Sequence, residues 1–190
     1  MINKGLLAII KNDLETHQKE RNRIIGDSRK ILQNAKQAIF ALHRGDRKAA
    51  DKFLTEAEKG LSLLNKTYNE NNRLRFEGSF KAAVEEYVEA KMFSLALTKK
   101  NLAELKIANI GPEEYIGGLA DLTGELVRQA VLQATAGSYQ EIKRYKEITE
   151  EIVGLLLNLY LTGYLRQKFD EAKRNLKRLE QIIYEVQLRK

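Results

Sequence analysis

Apolar residues recur at three- and four-residue intervals along most of the chain, and the alternating rhythm of strands is almost absent. The pattern predicts long helices joined by short breaks. The first begins near Ile2 and runs to about Arg44. Asp46 is placed to cap a second, whose apolar side carries Ala49, Phe53, Leu54, Leu61 and Leu64. Tyr68 to Ser79 holds three asparagines and Gly78 and marks a break. Ser79 can cap a third helix, which fades in Thr98 to Asn101. A link from Lys106 to Gly111 leads to Pro112, the only proline, which suits the first turn of a fourth helix ending near Gly137. A fifth is expected from about Ser138 to Leu161. After a break at Gly163, a last helix from Tyr164 to about Arg189 presents Leu165, Phe169, Leu176, Leu179, Ile183 and Val186 as one stripe. The expected fold class is all-α, a bundle of six to seven helices with a long N-terminal helix.

Two of these helices combine acidic residues with apolar surroundings. On the third, Glu86 and Glu89 share a face with Ala82, Ala90, Phe93 and Leu97, while Phe80, Val84, Tyr87 and Leu95 cover the opposite side. A helix apolar nearly all round is usually buried. On the fourth, Asp121 and Glu125 leave on one face, beside the stripe of Tyr115, Leu119, Leu122 and Leu126. Gly117, Gly118 and Gly124 each cost that helix about 1 kcal/mol relative to alanine. Such a cost points to a backbone or ligand that comes close. Buried carboxylates need partners, and a metal ion is one. With 26 acidic residues in the chain, such pairs also arise by chance on solvated faces. The apolar, glycine-rich setting favours a four-carboxylate site.

A length of 190 residues with 43% apolar and 31% charged content suits a single globular domain, 1–190. A first helix of about 43 residues spans roughly 64 Å, against about 32 Å for a compact domain of this size, so it must project or meet another subunit. The run Ile152 to Leu161 is apolar on every face yet too short for a membrane span, which makes it core or subunit interface. Cysteine is absent, which excludes disulfides, thiolate metal sites and cysteine nucleophiles. Nothing near Met1 resembles a secretory signal, so a soluble cytoplasmic protein is expected.

The net charge of +7 is unevenly spread: Thr16 to Ala50 holds nine Lys or Arg against three Asp or Glu. Arg29, Lys36 and His43 are spaced by seven along the first helix, with Arg23 and Lys30 in a neighbouring row and Arg44 at the end. The stripe can track a phosphate backbone, or it is a solvated face, or it pairs with acidic residues of a neighbour. His17 and His43 lie too far apart for a zinc cluster. His43 reads as an RNA contact or a packed residue rather than a catalytic base. Phosphate-binding loops, dinucleotide fingerprints and the GxSxG elbow are all missing. The acidic pairs are Glu-x-x-Glu and Asp-x-x-x-Glu, without the histidines of di-iron bundles, so all-oxygen ligation favours Mg²⁺ or Mn²⁺.

These motifs carry a resemblance. EYVEA (Glu86 to Ala90) and YIGGLADLTGELVR (Tyr115 to Arg128) resemble segments of translin-associated factor X, the nuclease subunit of the translin complex. ATAGSY (Ala134 to Tyr139) is more similar to translin, while AIFALHR (Ala38 to Arg44) and RNLKRLEQIIYEVQLR (Arg174 to Arg189) resemble both. The match is patchy but runs from about residue 20 onwards. It implies a single-chain homologue of archaeal type, a hollow homo-oligomer, expected to be an octamer, and a metal-dependent endoribonuclease acting on single-stranded RNA held inside. Glu86, Glu89 and Asp121 would be metal ligands, with Glu125 a ligand or an orienting group. Arg23, Arg29, Lys30, Lys36, His43 and Arg44 would bind nucleic acid. The chief alternative is a non-catalytic binder of single-stranded RNA or DNA, which needs the bases but not the acids; a third is a helical scaffold with structural acidic pairs.

Overall fold

A computed structural model describes residues 3–68, 77–99 and 110–188. The described residues form six helices: α1 (Lys4–His43), α2 (Arg47–Thr67), α3 (Gly78–Leu97), α4 (Pro112–Thr135), α5 (Tyr139–Leu157) and α6 (Gly163–Gln187). The all-α expectation holds, and no strand occurs among the described residues. The expected link from Lys106 lies largely outside them.

Local signals set the ends. The Asn3 side chain accepts from Gly5 N at 2.9 Å and Leu6 N at 3.2 Å and starts α1. Asp46 caps α2 through Ala49 N at 3.0 Å, as its position predicted. Gly45 between them has φ +74°, a left-handed turn that glycine adopts at no steric cost. Pro112 occupies the first turn of α4. Two expectations need correction. Helix α3 starts at Gly78, so Ser79 lies inside its first turn, and its hydroxyl has no partner among the described residues. Helix α5 stops at Leu157 rather than Leu161, because Asn158 takes over the terminal carbonyls: its amide donates to Gly154 O at 3.0 Å.

Helices α1, α2 and α3 pack on one another; α3 then packs on α4, and α4, α5 and α6 form a second group. The core joins both, from Ile24, Ile31 and Leu42 of α1 through Leu61, Phe93, Leu122 and Leu126 to Tyr145, Leu156 and Leu179. Helix α3 is largely buried, with Phe80, Val84, Tyr87 and Leu95 inside as its pattern predicted, while Ala82 is exposed. The first half of α1 behaves oppositely. Every residue from Lys4 to Glu20 is exposed, including Leu6, Leu7, Ile9, Ile10 and Leu14. At 40 residues, α1 is about 60 Å long and projects from the body. The run at the end of α5 divides: Ile152 and Leu156 are core, whereas Leu155, Leu157, Leu159 and Tyr160 are exposed.

Candidate functional site

The contact between α3 and α4 is built on two glycines. A Cβ on Gly118 would stand 2.6 Å from the carbonyl oxygen of Glu85 and 2.8 Å from Val88 Cβ. A Cβ on Gly117 would overlap the Glu85 carboxylate. The close partner that the sequence left unnamed is therefore the backbone of α3. Gly124 is different, since a Cβ there would meet only Asn175 Nδ2, at an ordinary 3.6 Å.

This approach draws the carboxylates into one electrostatic group. Glu89 is buried and, among the described residues, no side chain donates a hydrogen bond to it. Burial, together with Asp121, Glu86 and Glu125, pushes its carboxyl up to about 9. Burial also raises Glu86, opposed by the Lys36 ammonium 3.8 Å away. Burial pushes Asp121 upward against Lys168, which hydrogen-bonds it. Glu125 is bonded to Nε2 of His43 and lies 4.0 Å from Arg128. Among the described residues, no three His, Asp or Glu side chains are gathered closely enough to hold a metal ion as they stand. Lys168 and His43 hold two of the four acids. The donor chemistry nonetheless fits a hard divalent cation: neighbouring carboxylates raise the proton affinity of Glu86 and Glu89, and Glu89 has no hydrogen-bond donor among the described residues.

The structure corrects the basic row. His43 points inward, with its side chain 3% exposed; Nδ1 lies 3.1 Å from Gln129 Oε1 and the ring packs 4.8 Å from Phe93. Of the two readings, it is the packed residue rather than a surface RNA contact. Lys36 turns toward Glu86 and lines the acidic cavity. Arg23 and Lys30 flank Asp27, at 4.0 and 3.0 Å. Arg29 is exposed, and Arg44 lies over the Phe40 ring. Sequence reasoning missed Glu85, Tyr164 and Lys168. They line the same cavity of about 400 Å³ with Lys36, Glu86 and Asp121. The cost of Gly117 and Gly118 signalled a neighbour but could not name Glu85, and nothing local in α6 marks Lys168.

The Glu89 environment fixes a pH dependence. The folded carboxyl keeps its proton up to about 9, whereas the unfolded one loses it near the ordinary 4.5. Between these values the unfolded state binds fewer protons, so metal-free stability falls as pH rises. Glu89→Gln is expected to flatten that decline and to stabilise the metal-free protein by a few kcal/mol at most at pH 8. Thermal melts at pH 5 and 8 check this; parallel curves for both proteins would contradict it.

The Translin family model matches residues 19–190. The chain belongs to the Translin family. An uncharacterized protein of Methanocaldococcus jannaschii is 28% identical over 176 residues, covering 88% of this chain and 76% of its own length. The translin-associated protein X homolog of Schizosaccharomyces pombe is 27% identical over 201 residues, covering 94% and 86%. The structure of an AfC3PO–duplex RNA complex shares the fold, with a TM-score of 0.89 over 97% of each chain at 23% identity. Among the described residues of this Translin-family chain, no helix is long and apolar enough to cross a membrane.

Proposed function

We propose that this Translin-family protein is a divalent-metal-dependent endoribonuclease that binds RNA inside a shell of its own copies. The observation that carries the reading is the cluster of Glu86, Glu89, Asp121 and Glu125, half-buried or buried between two helices held together by glycines. These residues would hold the cation which, when bound, polarises the scissile phosphate and lowers the pKa of a bound water. His43, locked between Phe93 and Gln129, orients Glu125. Lys36 links the basic face of α1 to the cavity, and Arg29 supplies phosphate affinity without reading sequence. The family membership supports the reading, as does the fold shared with a protein solved in complex with duplex RNA.

One observation favours the plain binder: Lys168 and His43 already pair with Asp121 and Glu125, as a purely structural network would. The deciding assay offers single-stranded and duplex RNA, with Mn²⁺ and with a chelator. Cleavage that needs Mn²⁺ and stops with chelator is expected, with single strands preferred. No cleavage of either RNA by the wild type overturns the nuclease reading in favour of the binder.

The shell rests on the bare apolar residues of α1 and on Leu155, Leu157, Leu159 and Tyr160, which are exposed in the single chain. Light scattering is expected to give a multiple of the 21.8 kDa chain mass, with eight copies the proposed number. A mass of one chain at micromolar concentration would contradict the shell.

A further inference from the structure

Lys168 reaches from α6 into the acids of the α3–α4 pair. Its ammonium is paired with Asp121, stands 3.0 Å from Glu85 Oε1, and lies 5.1 Å from the centre of the Tyr164 ring. The anchor is itself fixed. Tyr164 Oη donates to Glu85 Oε1 at 2.5 Å, and the Glu85 carboxylate packs where Gly117 has no side chain. Lys168 also lowers the proton affinity of Glu86, Glu89 and Asp121, so one monovalent cation serves three acids. Its side chain remains 17% exposed, on the wall of the cavity.

Resting on the metal-dependent reading above, we propose that Lys168 is a built-in counter-ion: it occupies the cation position of the metal-free site and moves onto an RNA phosphate when a divalent cation displaces it. Two cations on one carboxylate repel each other, and the divalent one gains more from the surrounding acids. A lysine has a flexible four-carbon stem and a compact charge, so its ammonium can swing while the helix stays in place. His43 lacks that freedom, being enclosed by Phe93, Gln129 and Glu125. The displaced ammonium stays on the cavity wall beside Glu85, where it also faces a phosphate approaching the metal. Lys168 thus keeps the acids together before loading and supplies a phosphate contact afterwards.

The test is a Mn²⁺ titration of the whole metal-free assembly, with free Mn²⁺ counted by electron paramagnetic resonance and no RNA present. Lys168→Gln is expected to bind Mn²⁺ about tenfold more tightly, because the competing state is removed. Lys168→Arg, which keeps the charge, should stay near wild type. With Mn²⁺ saturating, Lys168→Gln should cut RNA with reduced kcat. Wild type provides a readout that needs no variant: acetylation of Lys168, mapped by mass spectrometry, should rise severalfold when Mn²⁺ is added. Unchanged or weaker Mn²⁺ binding by Lys168→Gln overturns the counter-ion role, as does acetylation indifferent to Mn²⁺. Tighter Mn²⁺ binding by Lys168→Gln, in a protein whose wild type cuts no RNA, leaves the counter-ion standing and sinks the nuclease reading alone.

Discussion

Asp121→Asn is expected to leave RNA bound and uncut. Asparagine keeps the shape of the side chain on α4 but removes its charge, and with it one of the few anionic ligands a cation could find in the cavity. Because the ligands act as a unit, the loss of one should lower the cleavage rate by about 10³-fold or more. RNA affinity should be unchanged, since Arg29 and the rest of the basic face lie on another helix. The fold should also survive. The variant forfeits a charge-assisted bond with Lys168, about 1.5–3 kcal/mol, but relieves repulsion among Glu86, Glu89 and Asp121, and Lys168 retains Glu85. Labelled RNA followed on gels, with gel shift and a thermal melt in parallel, separates the three quantities. Equal cleavage by wild type and variant would show that the activity belongs to a contaminant and not to these carboxylates.

Gly118→Val is expected to be the most damaging single substitution for the fold. Its Cβ would meet the backbone oxygen of Glu85 at 2.6 Å, and a helix backbone cannot turn aside as a side chain can. Helices α3 and α4 would have to separate along their shared face, at a cost of about 3 kcal/mol, the upper end of what overpacking usually costs. The acids on the two helices would separate with them, so cleavage should fail even in protein that remains folded. Gly124→Ala is the control. Its Cβ has room, and alanine favours the helix by up to about 1 kcal/mol, so the melting temperature should hold or rise. Denaturant unfolding of the two variants checks the pair, and similar losses in both would contradict the close-packing argument.

These two glycines also show how far the sequence could be read. Periodicity located α3 as largely buried and put Glu86 with Glu89, and Asp121 with Glu125, each pair on one face of its helix, because those facts depend on residues a few positions apart. It could not separate Gly118 from Gly124, since the distinction depends on which atoms of α3 lie opposite each. Lys168 was invisible for the same reason: its partner Asp121 is 47 residues away on another helix. His43 was left between two readings for a different reason. Its spacing of seven from Lys36 suggested a shared row, but a straight helix drifts about 20° per heptad. Over the two heptads from Arg29 that drift carries His43 off the solvent face and against Phe93. The end of α5 was misplaced because apolarity continues to Leu161, whereas the stop signal is one polar side chain, Asn158, competing for the carbonyls.

The bare first half of α1 has a consequence for how stability should be understood in this protein. From Lys4 to Glu20 the helix is exposed and no other described residue covers it, and an unsupported helix of that length is marginal in water. In the proposed shell, neighbouring copies would supply most of what keeps it helical. Folding of that segment is then a reaction of higher order than one, governed by mass action. Dilution would unwind it before the bundle itself yields, and a melting temperature for this protein has meaning only alongside the concentration at which it was taken.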